Sequence, residues 1–172
     1  MQELKGRVAV VTGGASGIGL AMAERFAREG MKLVLADIEA GPLAAAEARL
    51  RAAGAEVVSR RTDVMSGAEV DALADAAYAA FGAVHVLCNN AGVAAPALRT
   101  RAWECPSGDW DWIMGVNFGG VLNGVRSFVP RMLSGGDEGH VVNTASIAGL
   151  LTGSNPYFVS KHAVTCLTEG LY

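Results

Sequence analysis

The sequence predicts an α/β fold built as a doubly wound parallel sheet, and three observations predict it. Short β-branched runs alternate with longer stretches of helical period. The runs are apolar almost throughout, as strands covered by helices on both faces must be, whereas a half-exposed strand would alternate. Glycines fall just after several helical stretches, where a left-handed residue ends the turn. Together these imply right-handed crossovers around one sheet.

Five runs read as strands: Arg7 to Thr12, Lys32 to Ala36, Glu56 to Ser59, Val84 to Cys88 and His140 to Thr144. After the first comes a helix with Ile18, Ala21, Met22 and Phe26 on one face. Gly30, Gly54 and Gly82 mark helix ends. Ser66, with Glu69 three residues on, forms a capping box, and Val70, Leu73, Ala74, Ala77, Tyr78 and Phe81 follow as one buried stripe. The same spacing joins Phe118, Val121, Leu122, Val125, Phe128, Val129 and Met132 in a later helix. Pro130 should bend or weaken that helix near its end, because it has no amide hydrogen to donate. Between Val93 and Asp109, with Pro96, Pro106 and Gly108, the chain reads as a surface loop leading into a helix that Trp110 and Trp112 anchor. There is no repeat, linker or low-complexity tract, so residues 1–172 are expected to form a single domain.

Composition narrows the function classes. Hydrophobic residues make up 51% and charged residues 18%, enough apolar material for a large core. A net charge of -3 and a pI near 5.6, with Lys and Arg scattered, offer no basic field to nucleic acid or anionic lipid. No apolar run reaches the ~20 residues of a bilayer span. The first strand starts by Arg7, too early for a signal peptide, so a cytoplasmic protein is expected. Cys88, Cys105 and Cys166 lie far apart and read as structural thiols. His85, His140 and His162 are equally dispersed, and no metal site is assigned.

Thr12 to Gly19 reads TGGASGIG, directly after an apolar strand and directly before a helix. Glycines there let the chain turn off the strand and approach a pyrophosphate, whose charge the free amides of a helix N-terminus stabilise. Gly13, Ser16, Gly17, Ile18 and Gly19 are the positions assigned to the cofactor, which makes the fold Rossmann-type. Asp37 closes the second strand about twenty residues later, where a carboxylate accepts from the adenosine ribose hydroxyls. It would repel a 2′-phosphate, and neither Ser16 nor Ile38 is basic, so NAD is favoured over NADP. A helix-capping or turn role for Asp37 is the alternative.

At this point the chain resembles the short-chain dehydrogenase/reductase family. The glycine turn, Asp63-Val64, Asn89-Asn90-Ala91-Gly92, Asn117, Ser146 and Tyr157-Phe-Val-Ser-Lys161 stand in that family's order, from Lys5 to Tyr172. The resemblance implies that Asp63 holds the adenine amino group, that Val64 packs on the adenine ring, and that Asn89, Asn90, Ala91 and Gly92 border the cofactor. Asn90 and Gly92 also have a turn-forming reading. Asn117 would hold a water in a proton relay to Lys161.

Tyr157 and Lys161 are four residues apart in a helix, so their side chains rise from one face. A free phenol ionises near pH ~10, and a neighbouring ammonium stabilises the phenolate, which makes Tyr157 a general base or acid. Lys161 would also reach the nicotinamide ribose. Ser146, at the end of the preceding strand, can hydrogen-bond the substrate oxygen. Ser154 and Ser160 read as structural hydroxyls, and Trp103, Trp110 and Phe158 as packing residues in preference to substrate contacts.

Two departures from the family pattern stand out. The stretch from Ser146 to Tyr157 is shorter than many members have, and the family's further strands, substrate lid and Pro-Gly turn do not follow Tyr172. The chain is therefore expected to be incomplete at its C-terminus, with the fifth strand an uncovered edge. The expected function is hydride transfer between NAD(H) and a small secondary alcohol or ketone. The alternative is a catalytically silent NAD-binding fragment of such an enzyme. By the same resemblance a homodimer or homotetramer is expected, paired through the helices from Asn117 to Leu133 and from Tyr157 onward.

Overall fold

A computed structural model describes residues 3–94 and 100–171. Its centre is one parallel five-stranded sheet of order β3-β2-β1-β4-β5, with β1 at Val8–Thr12, β2 at Lys32–Asp37, β3 at Val57–Arg61, β4 at Val86–Asn89 and β5 at His140–Asn143. All five predicted strands are present within a few residues of their expected bounds. The order reverses direction between β1 and β4, the switch point outside whose carboxyl ends a doubly wound sheet opens a crevice.

Both faces of the sheet are covered. Val8 and Val10 of β1 point into one core with Val34 and Ala36 of β2, Leu73 and Ala77 of the helix α3 (Gly67–Phe81) and Phe128 of the helix α5 (Gly120–Gly135). Ala9 and Val11 point into the other with Leu33, Leu35, Ala23 and Leu50, closed by α1 (Gly17–Arg28) and α2 (Ala40–Ala52). This two-sided burial is why β1 and β2 read as unbroken apolar runs, each Val or Leu contributing about 1.5–3 kcal/mol. At the far edge β5 pairs, among the described residues, with β4 alone and alternates exposed and half-buried residues, with Val142 on the outside.

Helix faces were less legible than strands. In α1 the buried residues are Gly19 and Ala23, while Ile18 and Ala21 face outward, because the helix approaches the sheet through its glycine. Ser66 does cap α3 by accepting from the Glu69 amide at 3.3 Å. The Glu69 carboxylate reaches past Ser66, however, and accepts from the Asp63 amide at 2.8 Å, so half of the expected capping box is diverted to the loop before it. In α5 the buried line is Gly120, Val121, Gly124, Ser127, Phe128 and Met132, and Leu122, Val125 and Val129 are only half-buried. Pro130 does not end this helix, which continues to Gly135. Gly30, Gly54 and Gly82 all have left-handed φ, as expected.

The helix α4 (Ser107–Met114) begins earlier than expected and runs into a π-helical turn, Gly115–Gly119, before α5. Its anchor is Trp110, packed with Val93 and Tyr157 on Cys105 and Ile113; Trp112 is exposed. Pro96, placed in the predicted loop, lies outside the described residues. After β5 a short 3-10 turn, Ile147–Gly149, precedes α6, Pro156–Glu169. Among the described residues no helix is long and apolar enough to cross a membrane.

Candidate functional site

The turn after β1 is held by the loop after β4. Thr12 is buried, and its hydroxyl oxygen accepts from the Asn90 amide at 3.0 Å and the Ala91 amide at 3.1 Å. Asn90 returns the contact, its side-chain amide donating to the Thr12 carbonyl at 3.1 Å. The staple brings the backbones together so closely that a Cβ on Gly13 would stand 2.9 Å from the Ala91 Cα. At Gly19 a Cβ would overlap the Gly13 carbonyl oxygen. Glycine is therefore required at both positions by close approach, and Gly13 and Gly17 also have left-handed φ. Ser16 is the N-cap of α1 but makes no side-chain cap bond, and no acidic residue stands in the first turn. The amides that open α1 lack intrahelical partners and form a site for an anion.

At the end of β2, Asp37 accepts from the Ala15 amide at 3.1 Å and, with its other oxygen, from the Glu39 amide at 3.1 Å. The turn role left open by the sequence is thus real: one carboxylate ties the glycine turn to the start of α2. It does not exclude a ligand, since two carboxylate oxygens offer about four acceptor sites. Beyond it, Asp63 accepts from the Met65 amide at 2.9 Å, and the Val64 carbonyl accepts from the Asn123 side chain at 2.9 Å. Gly120 leaves room for the Val64 side chain, which a Cβ there would meet at 2.7 Å.

The other end of the cleft is built by α6. Asn155 caps it, accepting from the Phe158 amide at 3.1 Å, and Pro156 opens the first turn. Tyr157 and Lys161 then share a face, with the ammonium nitrogen 5.9 Å from the phenol ring centroid. Lys161 is buried and donates to the Thr144 carbonyl at 2.8 Å, and that burial pushes its pKa below the ordinary lysine value. Ser146 caps the 3-10 turn by accepting from the Ala148 amide at 3.2 Å. That bond uses the oxygen's lone pair and leaves the hydroxyl proton to be donated elsewhere.

Asn117 sits in the π turn and is fully buried. Its side chain accepts from the Val93 amide at 2.8 Å and donates to the Val93 carbonyl at 3.0 Å and to the Ser160 hydroxyl at 3.1 Å. Both side-chain hydrogens are therefore used, and the side chain clamps the loop after β4. Ser160 in turn donates to the Tyr157 carbonyl at 2.8 Å, which makes it part of the same buried chain. None of this is legible in the sequence, because the π turn that aims Asn117 has no pattern of its own.

One cleft of about 920 Å³ joins the two ends. Its wall includes Gly13, Ser16, Gly17, Ile18, Asp37, Asp63, Val64, Asn90, Ala91, Gly92, Ser146, Tyr157 and Lys161. Of the residues expected at the site, Gly19, Asn89 and Asn117 are absent from that wall; all three are buried. Ile38, Met65, Trp112 and Val116 line it too, and sequence reasoning had given none of them a ligand.

A family model described as short chain dehydrogenase matches residues 7–172. A 1-deoxy-11-beta-hydroxypentalenate dehydrogenase of Streptomyces exfoliatus is 40% identical over 171 residues, covering 98% of this chain and 62% of that protein. A C alpha-dehydrogenase of Sphingobium is 38% identical, covering 99% of this chain and 56% of that protein. Among solved structures, a short chain dehydrogenase/reductase from Burkholderia phymatum in complex with NAD is 55% identical with a TM-score of 0.95, covering all of this chain and 61% of that one. The chain thus spans about six-tenths of the length of the relatives it matches.

Proposed function

We propose, from the premise that this chain belongs to the short-chain dehydrogenase family, that residues 1–172 are one dinucleotide-binding and catalytic domain of an oxidoreductase. The reaction is hydride transfer between NAD(H) and a secondary alcohol or ketone. The observation that carries this reading is the shared cleft: Ser146, Tyr157 and Lys161 open into the same space as the glycine turn and Asp37.

The residues present fit a dinucleotide. Gly13 and Gly19 keep the turn free of side chains where backbone meets backbone, the first amides of α1 suit a pyrophosphate, and Asp37 retains acceptor capacity for ribose hydroxyls. The same carboxylate disfavours a 2′-phosphate. Arg61, across from Asp37 in the strand register, lies 3.5 Å from the Glu69 carboxylate, which draws its charge away from such a phosphate. NAD, when bound, supplies the acceptor or donor of hydride.

This chain's own groups handle the proton and the substrate oxygen. Tyr157 removes the alcohol proton in oxidation and returns it in reduction. Ser146 donates its free hydroxyl hydrogen to the substrate oxygen, where charge develops. Lys161, held by the Thr144 carbonyl, places a positive charge beside the phenol. Asn117 and Ser160 fix the Val93 loop and the first turn of α6, so their role is positioning. A water in a proton relay could meet the Asn117 side chain only by donating to its oxygen, since both side-chain hydrogens are already donated.

The homodimer or homotetramer expected from the family resemblance is supported by α5, whose Leu122, Val125 and Val129 remain half-buried and whose Leu133 is exposed. Tyr157→Phe tests the chemistry. Turnover of a secondary alcohol with NAD should fall by about 10² or more, with NAD affinity unchanged. Near-normal turnover would remove Tyr157 from the mechanism, and NAD binding without any turnover in the unsubstituted protein would leave the silent NAD-binding fragment as the reading.

A further inference from the structure

Trp112 is badly placed for a packing residue. It is 43% exposed, although Trp110, two positions earlier, is packed into the cluster of Cys105 and Ile113. One helical turn separates Trp112 from Val116, and both line the cleft. Between them lies Gly115, where a Cβ would stand 2.5 Å from the Met65 methyl carbon. The thioether of Met65 therefore rests against this stretch of helix. Met65, Trp112 and Val116 all line the cleft, with Met65 against the helix between the other two, while Ile38, 52% exposed, lines the same cleft from the end of β2.

The position of that wall along the cleft gives it an occupant. The strand order places the glycine turn at β1, Asp37 at the end of β2 and Asp63 to Met65 after β3. A dinucleotide with its pyrophosphate on the turn and its ribose at Asp37 carries its base beyond Asp37, toward β3. We infer that Trp112, backed by Met65, is a stacking surface for the adenine ring. The inference rests on the dinucleotide reading above. A purine is flat with an apolar face, so stacking withdraws exposed indole surface from water and adds the ring-on-ring attraction of aromatic pairs. A thioether alongside contributes a further polarizable contact. Gly115 is then explained as well: any side chain there would push Met65 off the wall.

The test uses the purified protein with three probes, NAD, AMP and nicotinamide mononucleotide, titrated into the unsubstituted protein, Trp112→Ala and Trp112→Phe. Trp112→Ala should weaken NAD and AMP by about tenfold, leave nicotinamide mononucleotide unchanged, and be largely rescued by Trp112→Phe. AMP should also quench indole emission in the unsubstituted protein more than in Trp112→Phe. Equal AMP affinity with and without Trp112 overturns the inference while the dinucleotide reading stands. An unsubstituted protein that binds neither NAD nor AMP overturns both, and an equal loss of all three ligands shows damage to the cleft at large and overturns the stacking role.

Discussion

The two ends of the cleft are made from different materials. At the proposed nucleotide end, the groups are mainly backbone amides and glycines, set by strands whose residues are almost all buried. At the proposed catalytic end, the groups are side chains, carried by the 3-10 turn after β5, a π turn and the first two turns of α6. Function at the first end coincides with good packing. At the second it opposes stability, because a cation is buried to serve the cleft. Substitutions at the two ends should therefore move stability in opposite directions.

Lys161→Met gives the largest effect and the sharpest form of that contrast. It removes the charge beside the phenol and a proposed ribose contact, so turnover should fall at least as far as in Tyr157→Phe, on the order of 10² to 10⁴, with weaker NAD binding besides. Stability should hold or rise, since Met fills the same slot without desolvating a charge. The sign can be followed with pH. Burial lowers the folded-state pKa of Lys161, so between that value and the ordinary ~10.4 the unfolded chain binds more protons, and folded stability rises with pH. Any advantage of Lys161→Met should thus shrink as pH climbs toward ~10. A variant that melts well below the unsubstituted protein at neutral pH would show that the Thr144 contact outweighs desolvation, and the contrast between the ends would fail.

Asp37→Ala probes the nucleotide end, where the expected change is smaller in rate and opposite in stability. The carboxylate accepts from the Ala15 and Glu39 amides, so its loss leaves two backbone donors to water and loosens the junction of the glycine turn with α2. Melting temperature should drop. Preference for NAD over NADP should narrow, because the ribose acceptor and the repulsion of a 2′-phosphate disappear together. Titration of both cofactors checks this, and an unchanged preference would assign Asp37 to the turn alone.

How much of this was legible follows from the same division of materials. Strands buried on both faces announce themselves as apolar runs, and the turn between β1 and α1 is written in glycines. The Tyr157 and Lys161 pair needs only helical spacing to be seen. What stayed hidden depends on close approach or irregular geometry. The buried face of α1 is chosen by Gly19 meeting Gly13, so hydrophobicity alone picked Ile18 wrongly. Asn117 and Ser160 are joined through a π turn, whose extra residue shifts every later side chain around the helix. Trp112 looked like an anchor because tryptophan is usually buried, and only its exposed place on the cleft wall gave it another purpose.

The smallest effect is expected away from both ends, at His85. The ring lies just before β4 on the side of the sheet away from the cleft, and Nδ1 accepts from the Val8 amide at 3.0 Å, so that nitrogen must be unprotonated. Nε2 faces the Asp137 carboxylate at 3.5 Å, and Arg7 approaches the same carboxylate from the β1 side at 3.5 Å. Burial lowers the His85 pKa first, the Arg7 charge lowers it further, and Asp137 opposes both. A lowered folded-state pKa means that the unfolded chain takes up the proton first. The contribution of this histidine is therefore whole above the ordinary value of ~6.5 and is lost as pH falls through the folded-state value. His85→Asn keeps an acceptor where Nδ1 stands but cannot titrate, so the unsubstituted protein should lose melting temperature more steeply below pH ~6.5 than this variant does. NAD affinity should be the same in both, because the ring touches neither end of the cleft. Parallel slopes would show that the folded and unfolded chains take up the His85 proton over the same pH range, and a loss of NAD affinity in His85→Asn would show that the strand ends facing the cleft depend on the ends facing away from it.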